Sequence, residues 1–266
     1  MTRSLSPLTD RDHAVLGPLA EHRFLTLPQI ALLLAVGERT ALRRLRGLER
    51  SGLVTVRPVF HGVPQAAWIE RPGLRALDSP LAAPQINLNE YRHDVGVGWL
   101  WLAARAGALG ELRDVTTERR MQAEDAAAGV AGEPPAWGIG VGLFSSRGTP
   151  QRHYPDLLLQ AASGHRVAVE LELTGKSAGR LDRIMRAYAS DARVDHVLYV
   201  AATPVIAARV RESARRAGIP ERVHVQMLAR DGIAGARIGR TPAGRTTVAA
   251  RARGTLPARP QGGPAR

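Results

Sequence analysis

Residues His165 to Leu173 alternate in polarity, and this alternation constrains the fold more than any other feature of the chain. Val167, Val169, Leu171 and Leu173 fall on one face of a strand, and Glu170 and Glu172 on the other. Two carboxylates on one face of so apolar a strand are costly unless something positive meets them. A hard cation such as Mg²⁺ or Mn²⁺ would do so, with Asp156 from the adjacent strand as a further oxygen ligand. Asp156 and Glu170 are therefore the expected metal ligands. Lys176, just past the strand, can reach the same spot. A metal that activates water, beside an ammonium that stabilises developing charge, is a common arrangement for phosphodiester hydrolysis. The alternative is a solvated strand face with Glu170 and Glu172 paired to Arg180 or Arg183.

Lys176 is the only lysine among 37 basic side chains. Arginine has displaced lysine almost everywhere, as codon bias in a GC-rich genome would do. The surviving lysine then marks a place where a compact, titratable ammonium serves best.

The basic balance is uneven. The formal net charge is +13. Residues 36–57 hold six arginines against Glu38 and Glu49, and residues 230–266 hold eight against Asp231. These two segments supply 11 of the 13 charges, so the middle of the chain is close to neutral. Such a balance points to a polyanionic partner, double-stranded DNA before a membrane. No run approaches the roughly 18 apolar residues of a membrane span. Met1 to Asp10 lacks the apolar core of a secretory signal, and there is no cysteine for disulfides or thiolate chemistry. The expected compartment is cytoplasmic.

The first of the two basic segments has a readable order. Thr9 and Asp12 cap a helix carrying Val15, Leu16 and Leu19. A second helix starts at Thr26 with Ile30, Leu33 and Leu34, and Gly37 turns the chain into a third helix, Glu38 to Arg50. Leu42, Leu45 and Leu48 form its apolar stripe, leaving Arg39, Thr40, Arg43, Arg44 and Arg46 outward. Strands Leu53–Phe60 and Ala66–Ile69 follow around the turn His61-Gly62-Val63-Pro64. Three helices and a hairpin, with the third helix rich in arginine, make a winged helix-turn-helix over residues 1–80. Those five polar residues are the expected DNA contacts. Use of the module for protein contacts, in a homodimer or with replication or transfer proteins, stays open.

A linker at Pro80 to Pro84 leads to a second domain, residues 85–230. Its order reads as a helix from Asn87 to Arg105 and a strand from Arg113 to Met121 containing Glu118. A flexible excursion follows from Gln122 to Pro150, then strands Tyr154–Gln160 and His165–Leu173. Helix Ser177–Ser190, strand His196–Ala201, helix Pro204–Ala217 and strand Val223–Leu228 complete it. His93 and Asp94 read as polar surface, and the eight histidines show no metal-ligand spacing. Residues 231–266, rich in Gly, Pro, Ala and Arg, read as a disordered basic tail that adds salt-sensitive, sequence-blind DNA affinity.

Pro155-Asp156 followed by Glu170-Leu171-Glu172, in an αβββαβ order, resembles the PD-(D/E)xK fold of restriction endonucleases. Glu118 loosely matches the extra acid that some members carry on the first strand. The resemblance implies Asp156, Glu170, Glu172, Lys176 and Glu118 as catalytic residues. It departs from the pattern at Glu172, where the family has lysine; Lys176 would supply the amine from further along. With the N-terminal unit, the chain resembles the replication-relaxation family of actinobacterial and plasmid-borne proteins. Leu8-Thr9-Asp10-Arg11-Asp12 and Glu170-Leu171-Glu172-Leu173-Thr174-Gly175-Lys176 carry that likeness over roughly residues 5–225. The family is linked to plasmid replication and DNA relaxation. The expectation is an α/β chain that binds DNA and cuts or nicks it with a metal. The competing expectation is a non-enzymatic replication accessory or transcriptional regulator with a degenerate nuclease-like domain.

Overall fold

The computed structural model describes residues 8–146 and 148–228; the expected basic tail, 231–266, lies outside the described residues. The chain is mixed α/β, with a three-stranded, a five-stranded and a two-stranded sheet among the described residues.

The first unit contains α1 (Asp10–Glu21), β1 (Leu25–Thr26), α2 (Leu27–Leu33), α3 (Glu38–Arg50), β2 (Val54–Pro58), β3 (Gln65–Ile69) and α4 (Arg71–Ala76). Thr9 and Asp12 form the expected capping box on α1, and Thr26 and Gln29 form one on α2. The strands pair antiparallel in the order β1-β3-β2. Val15, Leu16, Leu19, Ile30, Leu45 and Ile69 meet in one buried core. On α3 that core takes Ala41, Leu45 and Leu48, while Leu42 is only half-buried. The apolar stripe is therefore rotated slightly from the expected one.

The second unit contains α5 (Tyr91–Arg105), β4 (Leu112–Thr117), α6 (Glu118–Val130), β5 (Ile139–Phe144), β6 (Pro150–His153), β7 (Leu157–Ala161), β8 (Arg166–Glu172), α7 (Ala178–Ser190), β9 (His196–Ala201), α8 (Pro204–Arg216) and β10 (Val223–Met227). The main sheet has the order β10-β9-β8-β7-β4. β4, β7 and β8 pair antiparallel, whereas β8, β9 and β10 pair parallel. The parallel pairs need crossovers, and α7 and α8 supply them. Val167, Val169, Leu171, Leu198 and Val200 face α5, with Trp101 and Leu102. Ala168, Val197 and Tyr199 face α7 and α8. With helices on both sides, Glu170 and Glu172 are buried and β8 has no solvated face.

Two expectations need correction. Glu118 does not lie in a strand; it opens α6, because the Thr117 hydroxyl caps that helix by accepting from Arg120 N–H. Residues 122–150 are not one flexible excursion. They carry most of α6 and all of β5, and Asp125 holds the loop between them. Its carboxylate accepts the backbone N–H groups of Ala136, Trp137 and Gly138 at 2.8, 3.0 and 2.7 Å. One buried acid thus satisfies three consecutive donors, which composition could not reveal.

α5 joins the two units. Gln29, fully buried on α2, donates to Val95 O at 2.8 Å and accepts from Thr26 N–H at 2.8 Å. Val95 packs with Phe24 and Ala66 of the first unit, while Trp101 and Leu102 pack on the main sheet. Residues 77–87, which include the expected linker, run between the units without regular structure, and Ala82 O accepts from Arg119 Nη2 at 2.7 Å. Among the described residues, no helix is long and apolar enough to cross a membrane.

Candidate functional site: an acidic cleft beneath the hairpin

An open cleft of about 1160 Å³ lies where the β2–β3 turn, the start of α5 and the end of β8 approach one another. Asp156, Glu170, Glu172, Lys176 and Glu118 all line it, so the structure brings the five residues chosen from sequence into one place. Phe60 and Val63 of the turn line it too. Phe60 packs edge-on against Tyr91, ring centroids 5.2 Å apart, and Tyr91 stacks on Phe24 at 5.3 Å. This aromatic stack ties the hairpin turn to the start of α5.

Each carboxylate on the sheet meets a cation of the chain itself. Asp156 Oδ2 accepts from Leu171 N–H at 2.7 Å and lies 3.2 Å from His93 Nε2. Burial works against a charge on His93, but the hydrogen bond and the charge of Asp156 outweigh it and raise its pKa to about 9. Glu170 Oε1 lies 2.5 Å from His153 Nε2 and accepts from Tyr188 O–H at 2.5 Å. Burial would raise the Glu170 pKa; the charge and hydrogen bond of His153, with Lys176 and Tyr188, bring it below the usual carboxylate range. The same contact raises the His153 pKa against the effect of its own burial. Lys176 Nζ pairs with Glu172 Oε2, and Lys176 N–H donates to Glu172 Oε1 at 3.1 Å. Burial lowers the lysine pKa, but Glu170 and Glu172 more than offset it.

Glu118 stands to one side. Its carboxylate accepts from Arg23 Nη2 at 3.1 Å and from Gln122 Nε2 at 3.0 Å, while Arg23 Nη1 donates to Asp94 at 2.8 Å. Burial raises the pKa of both acids, with Arg23 opposing it.

These pairings test the expected metal. The residues are of the right chemical type, oxygen donors for a hard cation. As arranged, however, His93, His153 and Lys176 neutralise Asp156, Glu170 and Glu172 one for one. Among the described residues, no three histidines or acids converge closely enough to hold an ion. The donor set therefore does not fit Mg²⁺ or Mn²⁺ in this arrangement.

The alternative reading paired the glutamates with Arg180 or Arg183; Glu172 instead meets Lys176, which was expected to reach this spot, and Glu170 meets His153 and Tyr188, which were not foreseen. It also placed His93 and Asp94 on the polar surface, whereas Asp94 is 7% exposed and His93 touches Asp156. The legible signal was their adjacency: a His-Asp pair within a helix otherwise rich in Val, Leu, Trp and Gly.

The five polar residues chosen on α3 divide. Arg39, Thr40 and Arg43 are exposed, and the two arginines hold no ion pair among the described residues. Arg44 is not outward: it is half-buried, donates to Thr9 Oγ1 at 2.8 Å and pairs with Asp12 at 3.3 Å. Arg46 bonds Glu49, Val56 O and Gln65 at 2.6, 3.1 and 3.3 Å. Both brace α3 against its neighbours.

No family model matches the chain, and no curated protein does. A solved structure described as "PigF with SAH" is 15% identical, over 83% of this chain and 63% of that chain, with a TM-score of 0.18. The chain thus spans less than two thirds of that protein's length, and a likeness this slight carries no argument about fold or function.

Proposed function

We propose that the chain is a duplex-DNA-binding protein that acts in plasmid or mobile-element replication or relaxation. Its first unit works as a winged helix-turn-helix, with α3 in the major groove and the β2–β3 hairpin as the wing. The observation that carries this reading is the exposed set Arg39, Thr40 and Arg43 on α3, the third helix of the first unit, directly before the β2–β3 hairpin. The arginines are exposed and hold no ion pair among the described residues, so phosphates and base edges are their natural partners. The test is the salt dependence of duplex binding. Arg39→Ala with Arg43→Ala should weaken binding and reduce the slope of log K against log salt by about 2, roughly one per lost phosphate contact. An unchanged slope and affinity refute the assignment.

A second reading, hydrolysis of the bound DNA by a PD-(D/E)xK-like domain, is favoured by the convergence of Asp156, Glu170, Glu172, Lys176 and Glu118 on one cleft. The one-for-one charge pairing favours an accessory role instead. Incubation with supercoiled plasmid, with Mg²⁺, with Mn²⁺ and with EDTA, decides between them. Metal-dependent nicking lost in Asp156→Asn and Lys176→Met would establish the enzyme; binding without nicking in every condition would leave a DNA-bound accessory factor.

A further inference from the structure

Three histidines share one corner of the main sheet, away from the cleft. His196 opens β9, His224 lies in β10, and His165 immediately precedes β8. In the register, His224 lies beside Leu198 and Val167 beside His196. Leu198 and Val167 both face α5, so all three imidazoles project from that face, at the N-terminal ends of three parallel strands. All three are half-buried. The ring centroids of His196 and His224 are 5.3 Å apart, and those of His165 and His196 are 5.9 Å apart. Glu172, at the cleft, pairs with Ala201 at the far end of β9, about 16 Å along the strand from His196.

We propose that His196 and His224 chelate a divalent transition metal that prefers imidazole, such as Zn²⁺. His196 Nδ1 and His224 Nε2 share a hydrogen bond at 3.4 Å, whose proton a metal bound between the two nitrogens would displace. Two nitrogens at that separation, each about 2.1 Å from a metal, subtend an angle of about 108°, close to tetrahedral. Imidazole nitrogens select Zn²⁺, Cu²⁺ or Ni²⁺ over Mg²⁺, which asks for oxygen. His165 is the third candidate ligand and must rotate to reach the ion; water completes the shell. Because no three ligands converge among the described residues, the site is a two-point clip. It ties the edge strand β10 to β9 and leaves the acidic cleft alone.

The test uses the full chain, Zn²⁺ by calorimetry in the presence of excess Mg²⁺ to occupy oxygen-only sites, and Cu²⁺ by electron paramagnetic resonance. The expected result is one equivalent of Zn²⁺, imidazole-nitrogen hyperfine structure with Cu²⁺, and a Tm higher by about 5 °C at one hundred times Kd. His196→Gln and His224→Gln keep side-chain bulk on a half-buried surface, and circular dichroism checks that each is folded. Each should weaken Zn²⁺ at least about tenfold, since losing a ligand costs no less than losing an outer-shell partner. No uptake by the wild type, or equal uptake by the folded double variant, overturns the proposal.

Discussion

Replacing Arg23 tests whether the two units are held in register by one cation. The guanidinium reaches Asp94 at 2.8 Å and Glu118 at 3.1 Å, from a side chain that is itself 30% exposed. The Asp94 side chain is 6% exposed, and its Oδ2 is buried with no hydrogen-bond partner among the described residues. Removing one partner of a buried ion pair costs about 3–5 kcal/mol, because the other charge is left uncompensated. Glu118, at 28% exposure, can regain water, and Arg23 is partly solvated already. The expected cost of Arg23→Met is therefore about 2–3 kcal/mol at pH 7. Burial already raises the Asp94 pKa against the pull of Arg23, so without Arg23 it rises further above its unfolded value. A folded-state acid with a raised pKa binds protons that the unfolded state does not, so the variant recovers stability as pH falls. Urea unfolding at pH 7 and pH 5 reads both effects: the gap between wild type and Arg23→Met should narrow at pH 5. In the Arg23→Met background, Asp94→Asn should restore stability at pH 7. A cost below about 1 kcal/mol, or further loss on adding Asp94→Asn, refutes the register argument.

Other consequences can be measured independently. Burial, with the nearby Arg119 charge, depresses the His22 pKa from 6.5 to about 3. The ring is neutral in the folded protein, so stability is lost as pH falls from 6.5 toward 3, by about 1.4 kcal/mol per pH unit in that window. His22→Phe keeps the edge contact with Trp101 and should flatten that acid limb; an unchanged slope excludes His22 as its source. Asp125→Ala orphans three backbone donors, so it should cost about 3 kcal/mol and speed amide exchange at Ala136, Trp137 and Gly138. Gly98→Ala sets two effects against each other. Alanine favours the helix by about 1 kcal/mol, but its Cβ would lie 2.6 Å from Gln29 Nε2 and break the buried bond to Val95 O. The clash should win, giving net destabilisation by thermal melting; a stabilised variant would mean that α2 and α5 have room to separate.

The sequence by itself determined the local elements and the chemistry they carry. The capping box of Thr9 and Asp12, the arginine-rich α3 and the alternation on β8 are short-range patterns, and each is present among the described residues. The sequence also picked Asp156, Glu170, Glu172 and Lys176, from acids beside apolar strand residues and from the one lysine of the chain, and Glu118 through the family resemblance. Only the tertiary structure decided what meets them. His93 arrives on α5, His153 on β6 and Tyr188 on α7, contacts 63, 17 and 18 residues away in the chain. Such long-range pairings leave no local period to read. Burial did the rest. A helix layer on each side of the main sheet removed the solvated face that would have let the two glutamates pair with surface arginines. Buried carboxylates must then find protein cations, and they did so in His153 and Lys176. The same layering turned α5, which periodicity assigns to one domain, into the element that both units share.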